Sequence, residues 1–78
     1  MRTVKVSKDC YIPEDNVLMI TGYQTETIRR IVRDGKKENK VFDITYGKKI
    51  QSVVFLKSGF YVLCNTSAET LDQRIRKE

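Results

Sequence analysis

Histidine is absent from this sequence of 78 residues, and it holds only two cysteines and four glycines. Each shortage removes a class of chemistry. Without an imidazole, no serine, cysteine or lysine has an evident general base to make it a nucleophile. Cys10 and Cys64 stand alone and fall short of a metal-ligand set. They read as free thiols that pack as small apolar side chains rather than as a disulfide. Gly22, Gly35, Gly47 and Gly59 are scattered along the chain and form no phosphate-cradling glycine motif. No apolar run is long enough to cross a bilayer, and residues 1–6 lack the apolar core of a signal peptide. The expectation is a non-enzymatic cytoplasmic protein with no metal, no cofactor, no small-molecule substrate and no membrane partner.

What the chain does have is positive charge, and that charge is concentrated. The formal net charge is +5. Between Thr27 and Lys49 stand eight bases, Arg29, Arg30, Arg33, Lys36, Lys37, Lys40, Lys48 and Lys49, against three acids, Asp34, Glu38 and Asp43. This stretch alone therefore carries the whole +5, and the segments on either side of it cancel. An excess confined to one helix and one loop points to a polyanion-binding surface rather than to a device for solubility.

The length predicts one small domain over residues 1–78. Such a chain buries only about 60% of its unfolded surface, so further burial in an oligomer would add stability. The pattern predicts an α+β fold, a mostly antiparallel sheet flanked by two helices. Residues 3–6 form a short first strand, 13–16 a turn, and the apolar run 17–21 a buried strand. Thr25 reads as an N-cap with Glu26 in the first helical turn. Ile28, Ile31, Val32 and Gly35 then share one helical face, and Arg29, Arg30, Arg33, Lys36 and Lys37 form a basic stripe beside it. This helix ends either at Gly35 or at Asn39 as a left-handed terminator.

Residues 41–45 are extended, 46–49 form a loop around Gly47, and 50–56 and 60–65 are strands joined by a short turn at 57–59. Thr66-Ser67-Ala68-Glu69 has the pattern of a capping box, opening a last helix that runs through Leu71 and Ile75 to residue 78. A faint repeat supports two strand–helix units: residues 17–20 followed by Glu26-Thr27-Ile28 echo residues 60–63 followed by Glu69-Thr70-Leu71. Both faces of the 50–56 and 60–65 strands are apolar. The expected cover is helices on one side and a neighbouring subunit on the other.

Phe42-Asp43-Ile44-Thr45-Tyr46-Gly47-Lys48-Lys49, followed by Val53-Val54 and by Ala68-Glu69-Thr70-Leu71, resembles the signature of RemA-type extracellular matrix regulators, small bacterial DNA-binding proteins. Ile28-Arg29-Arg30-Ile31 is similar to the first helix of that family. The resemblance implies a LytTR-like fold, a ring-shaped homo-oligomer, and control of transcription through basic loops brought together on one duplex DNA. It implies nucleoid association as well. Four departures stand out. Lys48 and Lys49 replace paired arginines, Gln51 replaces a further base, Asn16 replaces an arginine, and Lys8-Asp9-Cys10-Tyr11 replaces a glycine-rich segment. Lysine is a mobile point charge where arginine is a fork. Phosphate binding is expected to survive the exchange, and base readout to suffer.

The candidate DNA-binding residues are therefore Lys48, Lys49 and Gln51 of the loop with Arg29, Arg30, Arg33, Lys36 and Lys37 of the helix. Tyr46 and Gly47 shape the loop. Tyr46 either packs against the domain or stacks on a base or sugar. Asp43 is an intersubunit or a loop-ordering hydrogen-bond acceptor rather than a catalytic acid, and Arg30 is placed to pair with Asp34 at i,i+4. The alternative function is an oligomeric scaffold whose basic face docks an acidic protein.

Overall fold

The computed structural model describes residues 2–76. The chain begins with an antiparallel hairpin, β1 (Thr3–Ser7) and β2 (Cys10–Pro13). Strand alternation in β1 turns Val4 and Val6 inward and Lys5 outward. The hairpin closes through Lys8 and Asp9, whose φ of 57° is left-handed. A single 3-10 turn at Glu14–Asn16 occupies the expected turn and leads into β3 (Val17–Gly22). There follow α1 (Glu26–Lys37), β4 (Val41–Asp43), β5 (Ser52–Leu56), β6 (Tyr61–Cys64) and α2 (Ala68–Arg76). The expected course of α2 over residues 77 and 78 lies outside the described residues.

The main sheet has the order β3-β5-β6-β4. β3 and β6 lie antiparallel to β5, whereas β4 lies parallel to β6. Alternation along β5 and β6 feeds two cores. Val54, Val62 and Cys64 face Val4, Val6 and Ile12 of the hairpin and Leu71 of α2. Val53, Phe55 and Leu63 face Val32, Ile28 and Ile31 of α1.

Two expectations are corrected here. The second sheet face needs no neighbouring subunit, because the β1–β2 hairpin and α2 cover it from within the chain. The run 17–21 is not a buried strand. β3 is an edge strand with a bulge between Val17 and Met19, and Leu18 is 65% exposed. An apolar run registers hydrophobicity, but not whether its strand sits centrally or at an edge.

Helix ends follow local chemistry. The Thr25 Oγ1 accepts the N–H of Ile28 at 3.3 Å. At the other end Asn39, with φ 59°, is the terminator, and the N–H groups of Glu38 and Lys40 both reach the carbonyl of Gly35. α1 is thus the longer of the two expected helices. Gly35 lies against Tyr61, and a Cβ there would sit 2.6 Å from the tyrosine ring. For α2 the capping residue is Ser67, whose Oγ accepts the N–H of Thr70 at 3.1 Å. The expected box is displaced by one residue, because the Thr66 hydroxyl instead donates to the carbonyl of Val6 at 3.3 Å.

Candidate nucleic-acid interface

The loop of residues 44–51 carries the chain from β4, at one edge, to β5 in the sheet interior. Its two ends are anchored in different cores, Ile44 against the hairpin side and Ile50 against the α1 side. Asp43 starts the loop as an Asx turn. Its Oδ1 accepts the Thr45 hydroxyl at 2.7 Å and the Thr45 N–H at 3.0 Å. Those two bonds, the hydroxyl first, hold the Asp43 carboxyl below the usual carboxylate range. Partial burial opposes them, and the positive charge of Lys36 adds to them. Asp43 has the loop-ordering geometry expected of it.

A tight turn follows. Tyr46 (φ 55°) and Gly47 (φ 81°) are both left-handed, and the Lys48 N–H donates to the Thr45 carbonyl at 3.0 Å. Two successive left-handed residues define a type I′ turn. A Cβ at Gly47 would meet nothing within 4 Å, so the demand for glycine there is one of backbone conformation. Tyr46 fits neither expectation fully. Its ring is 65% exposed, yet its hydroxyl donates to the carbonyl of Lys8 at 3.1 Å. The phenol thus braces the loop against the hairpin tip and leaves its face in solvent. The Ser7 hydroxyl adds a second tie, donating to the Ile44 carbonyl at 3.3 Å. Lys48 and Lys49 project from this braced turn, both exposed. Gln51 is exposed too, and its N–H donates to the Cys64 carbonyl at 2.8 Å.

The basic stripe of α1 is partly occupied. Arg29 donates from Nε to the Tyr23 carbonyl at 3.1 Å and lies over the Tyr23 ring at 5.5 Å. Arg33 pairs with Glu26 at 2.9 Å, which lowers the Glu26 carboxyl and raises the Arg33 guanidinium relative to their ordinary values. Both partners are exposed, so the pair contributes little to stability. Arg30, Lys36 and Lys37 make no ion pair among the described residues, and the expected Arg30–Asp34 pair does not form.

The stripe approaches the start of the loop at Lys36, whose charge acts on Asp43, but the two do not share a groove. α1 covers one face of the sheet, and the hairpin and α2 cover the other. Lys48 opens onto a groove of about 640 Å³ on the hairpin side, whose lining includes Lys5, Lys8, Tyr46, Asn65 and Arg74 and no residue of α1. Lys5, Lys8 and Arg74 were not legible as neighbours of Lys48, because they lie in two flanking segments whose charges sum to zero. The outward position of Lys5 in an alternating strand is the one signal that pointed to it. Among the described residues there is no cluster of metal-ligating side chains and no helix long and apolar enough to cross a membrane. Cys10 and Cys64 are both free, and burial pushes the Cys64 thiol up to about 11.

The fold is a small α+β domain that carries a braced basic turn at the end of its sheet. The chain belongs to the RemA-like family: the family model described as extracellular matrix regulatory protein A-like matches residues 3–75. Relatives named "Putative regulatory protein" include one from Finegoldia magna, 30% identical over 77 residues, covering 99% of this chain and 93% of the relative. One from Fervidobacterium nodosum is 33% identical over 63 residues, covering 81% and 68%. One from Dictyoglomus thermophilum is 31% identical over 75 residues, covering 96% and 88%.

Proposed function

We propose that this protein is a transcription regulator that binds duplex DNA as a homo-oligomer, with the Lys48–Lys49 turn as its phosphate contact. The observation that carries this reading is the braced turn itself. Asp43, Thr45, Tyr46 and Ser7 fix its backbone through four hydrogen bonds, so two cations are offered from a rigid base with no ion pair among the described residues. Holding the backbone in advance lowers the ordering cost of binding. The naming of the relatives as regulatory proteins supports the same reading.

Assembly is supported by the two free edges of the sheet. β3 exposes Leu18 and Met19. At the opposite edge Phe42 of β4 stacks on Phe60 at 5.3 Å, with both rings exposed. Two unlike apolar edges suit a head-to-tail contact, which closes into a ring when the rotation permits. A LytTR-like ring of this kind would repeat the Lys48–Lys49 turn along one duplex and multiply its affinity through effective concentration. A second reading rests on α1. Its stripe does not line the groove beside Lys48, so Arg30, Lys36 and Lys37 remain available to an acidic protein while DNA is held there.

The test is fluorescence anisotropy of a labelled duplex at several salt concentrations, beside sedimentation to measure the mass of the particle. Replacing Lys48 and Lys49 together with Ala should weaken binding and flatten the salt dependence by about one unit per lost phosphate contact per engaged subunit. A parent protein that ignores duplex DNA even at low salt overturns the proposal, and a monomer at working concentration removes the ring.

A further inference from the structure

We propose that the groove beside Lys48 is the path of a DNA strand, with Lys5 and Lys8 of the hairpin and Arg74 of α2 as phosphate ligands alongside Lys48. This rests on the DNA reading above and extends it to residues from both ends of the domain. The groove is lined by four bases, Lys5, Lys8, Lys48 and Arg74, against one acid, Asp9. Two acids of the same flanking segments are paired away from the groove. Glu14 pairs with Arg2 at 3.6 Å, and Asp72 pairs with Arg76 at 3.0 Å. Lys5, Lys8 and Lys48 make no ion pair among the described residues. Folding therefore gathers bases from two segments whose charges sum to zero and leaves a positive strip in the groove.

The strip is also held still. The Arg74 Nη1 donates to the Lys5 carbonyl at 2.7 Å, the Tyr46 hydroxyl to the Lys8 carbonyl at 3.1 Å, and the Thr66 hydroxyl to the Val6 carbonyl at 3.3 Å. The backbone under both lysines is thereby tied to α2 and to the basic turn, which sets the hairpin cations in register with Lys48. The remaining lining suits a sugar–phosphate strand. The Asn65 side-chain amide offers N–H donors, and the exposed Tyr46 ring offers a flat flank for a sugar. No residue of the α1 stripe lines the groove.

The experiment measures duplex affinity against salt for the full chain, for Lys5→Gln with Lys8→Gln, for the charge-conserving Lys5→Arg with Lys8→Arg, and for Lys57→Gln in the exposed turn between β5 and β6. The glutamine pair should lower affinity and flatten the slope of log affinity against log salt by about two units per engaged subunit. The arginine pair should bind as the parent does, and Lys57→Gln should keep the parent slope. Melting curves of the glutamine and arginine pairs should match the parent. If the Lys48→Ala, Lys49→Ala protein loses affinity while the glutamine pair binds like the parent, the groove is not the path and the DNA reading stands. If the arginine pair binds as poorly as the glutamine pair, charge is not what Lys5 and Lys8 supply, and the groove assignment falls. If the parent binds no duplex at all, the DNA reading falls and takes the groove with it.

Discussion

Replacing Gly35 with Ala sets helix propensity directly against packing. In an exposed helix interior the change stabilises by about 1 kcal/mol, because alanine loses less backbone freedom on folding. Here the new Cβ would lie 2.6 and 2.8 Å from two carbons of the Tyr61 ring and 3.1 Å from a Val41 methyl. The ring has little room to retreat. It stands edge-on to Phe55 with centroids 4.9 Å apart, and the Tyr61 backbone is paired with β4. Overpacking of this kind costs about 1–3 kcal/mol, and two contacts under 3.0 Å against a pinned ring place this site in the upper half, about 2–3 kcal/mol. Subtracting the helical gain leaves a net loss of about 1–2 kcal/mol, which for a domain of this size lowers Tm by roughly 5–15 °C. Thermal unfolding followed by circular dichroism measures it. Adding Tyr61→Leu to the alanine variant opens space at the same point, so the cost of Gly35→Ala should shrink in that background. A Gly35→Ala protein that melts at or above the parent temperature would refute the reasoning, since it would show that propensity outweighs the contact.

Two further predictions concern the turn and the thiols. Asp43→Ala removes two hydrogen bonds onto Thr45 and should cost about 1 kcal/mol, discounted for the exposure of the site, while weakening DNA binding through a looser turn. Because the folded Asp43 carboxyl lies below its ordinary 3.8, the stability it supplies is fully present above that value and drains away as pH falls through the lower folded value. The gap between parent and variant in denaturant titrations should therefore close in acid and stay constant towards neutrality. For the cysteines, an aromatic disulfide reagent near neutral pH should modify Cys10 in the native protein and reach Cys64 only on unfolding. Cys64 is fully buried and its thiol is pushed up to about 11, which leaves almost no thiolate. Equal labelling rates for the two would contradict the burial of Cys64.

Features set by local periodicity and local chemistry were legible in the residues. The apolar face of α1, its Thr25 cap and the two strands joined at 57–59 follow from spacing alone. Asn39 was one of two permitted terminators, and the structure selects it because Gly35 is needed inside the helix against Tyr61. The basic turn was legible as a loop, but its type I′ geometry depends on Tyr46 accepting a left-handed φ. Features set by tertiary order were not legible. β2 buries Ile12 alone among its residues, which leaves too faint a pattern to announce a strand. The parallel pairing of β4 with β6 and the edge position of β3 depend on which strands meet. The cluster of Lys5, Lys8, Lys48 and Arg74 draws on three separated segments, so charge counted along the chain averages it away.

The tie between Arg74 and the Lys5 carbonyl joins residues 69 positions apart, and this sets an order of events during synthesis. The hairpin leaves the ribosome long before α2 does, with Val4, Val6 and Ile12 waiting for Leu71 to cover them. Contacts of such wide separation form late and leave apolar surface uncovered in the interval. A chain cut short before residue 68 would lack both the cover of its hairpin and the far wall of its basic groove. Incomplete copies would thus leave the apolar face of the hairpin uncovered and open to proteolysis at once, which removes truncated chains soon after they are made.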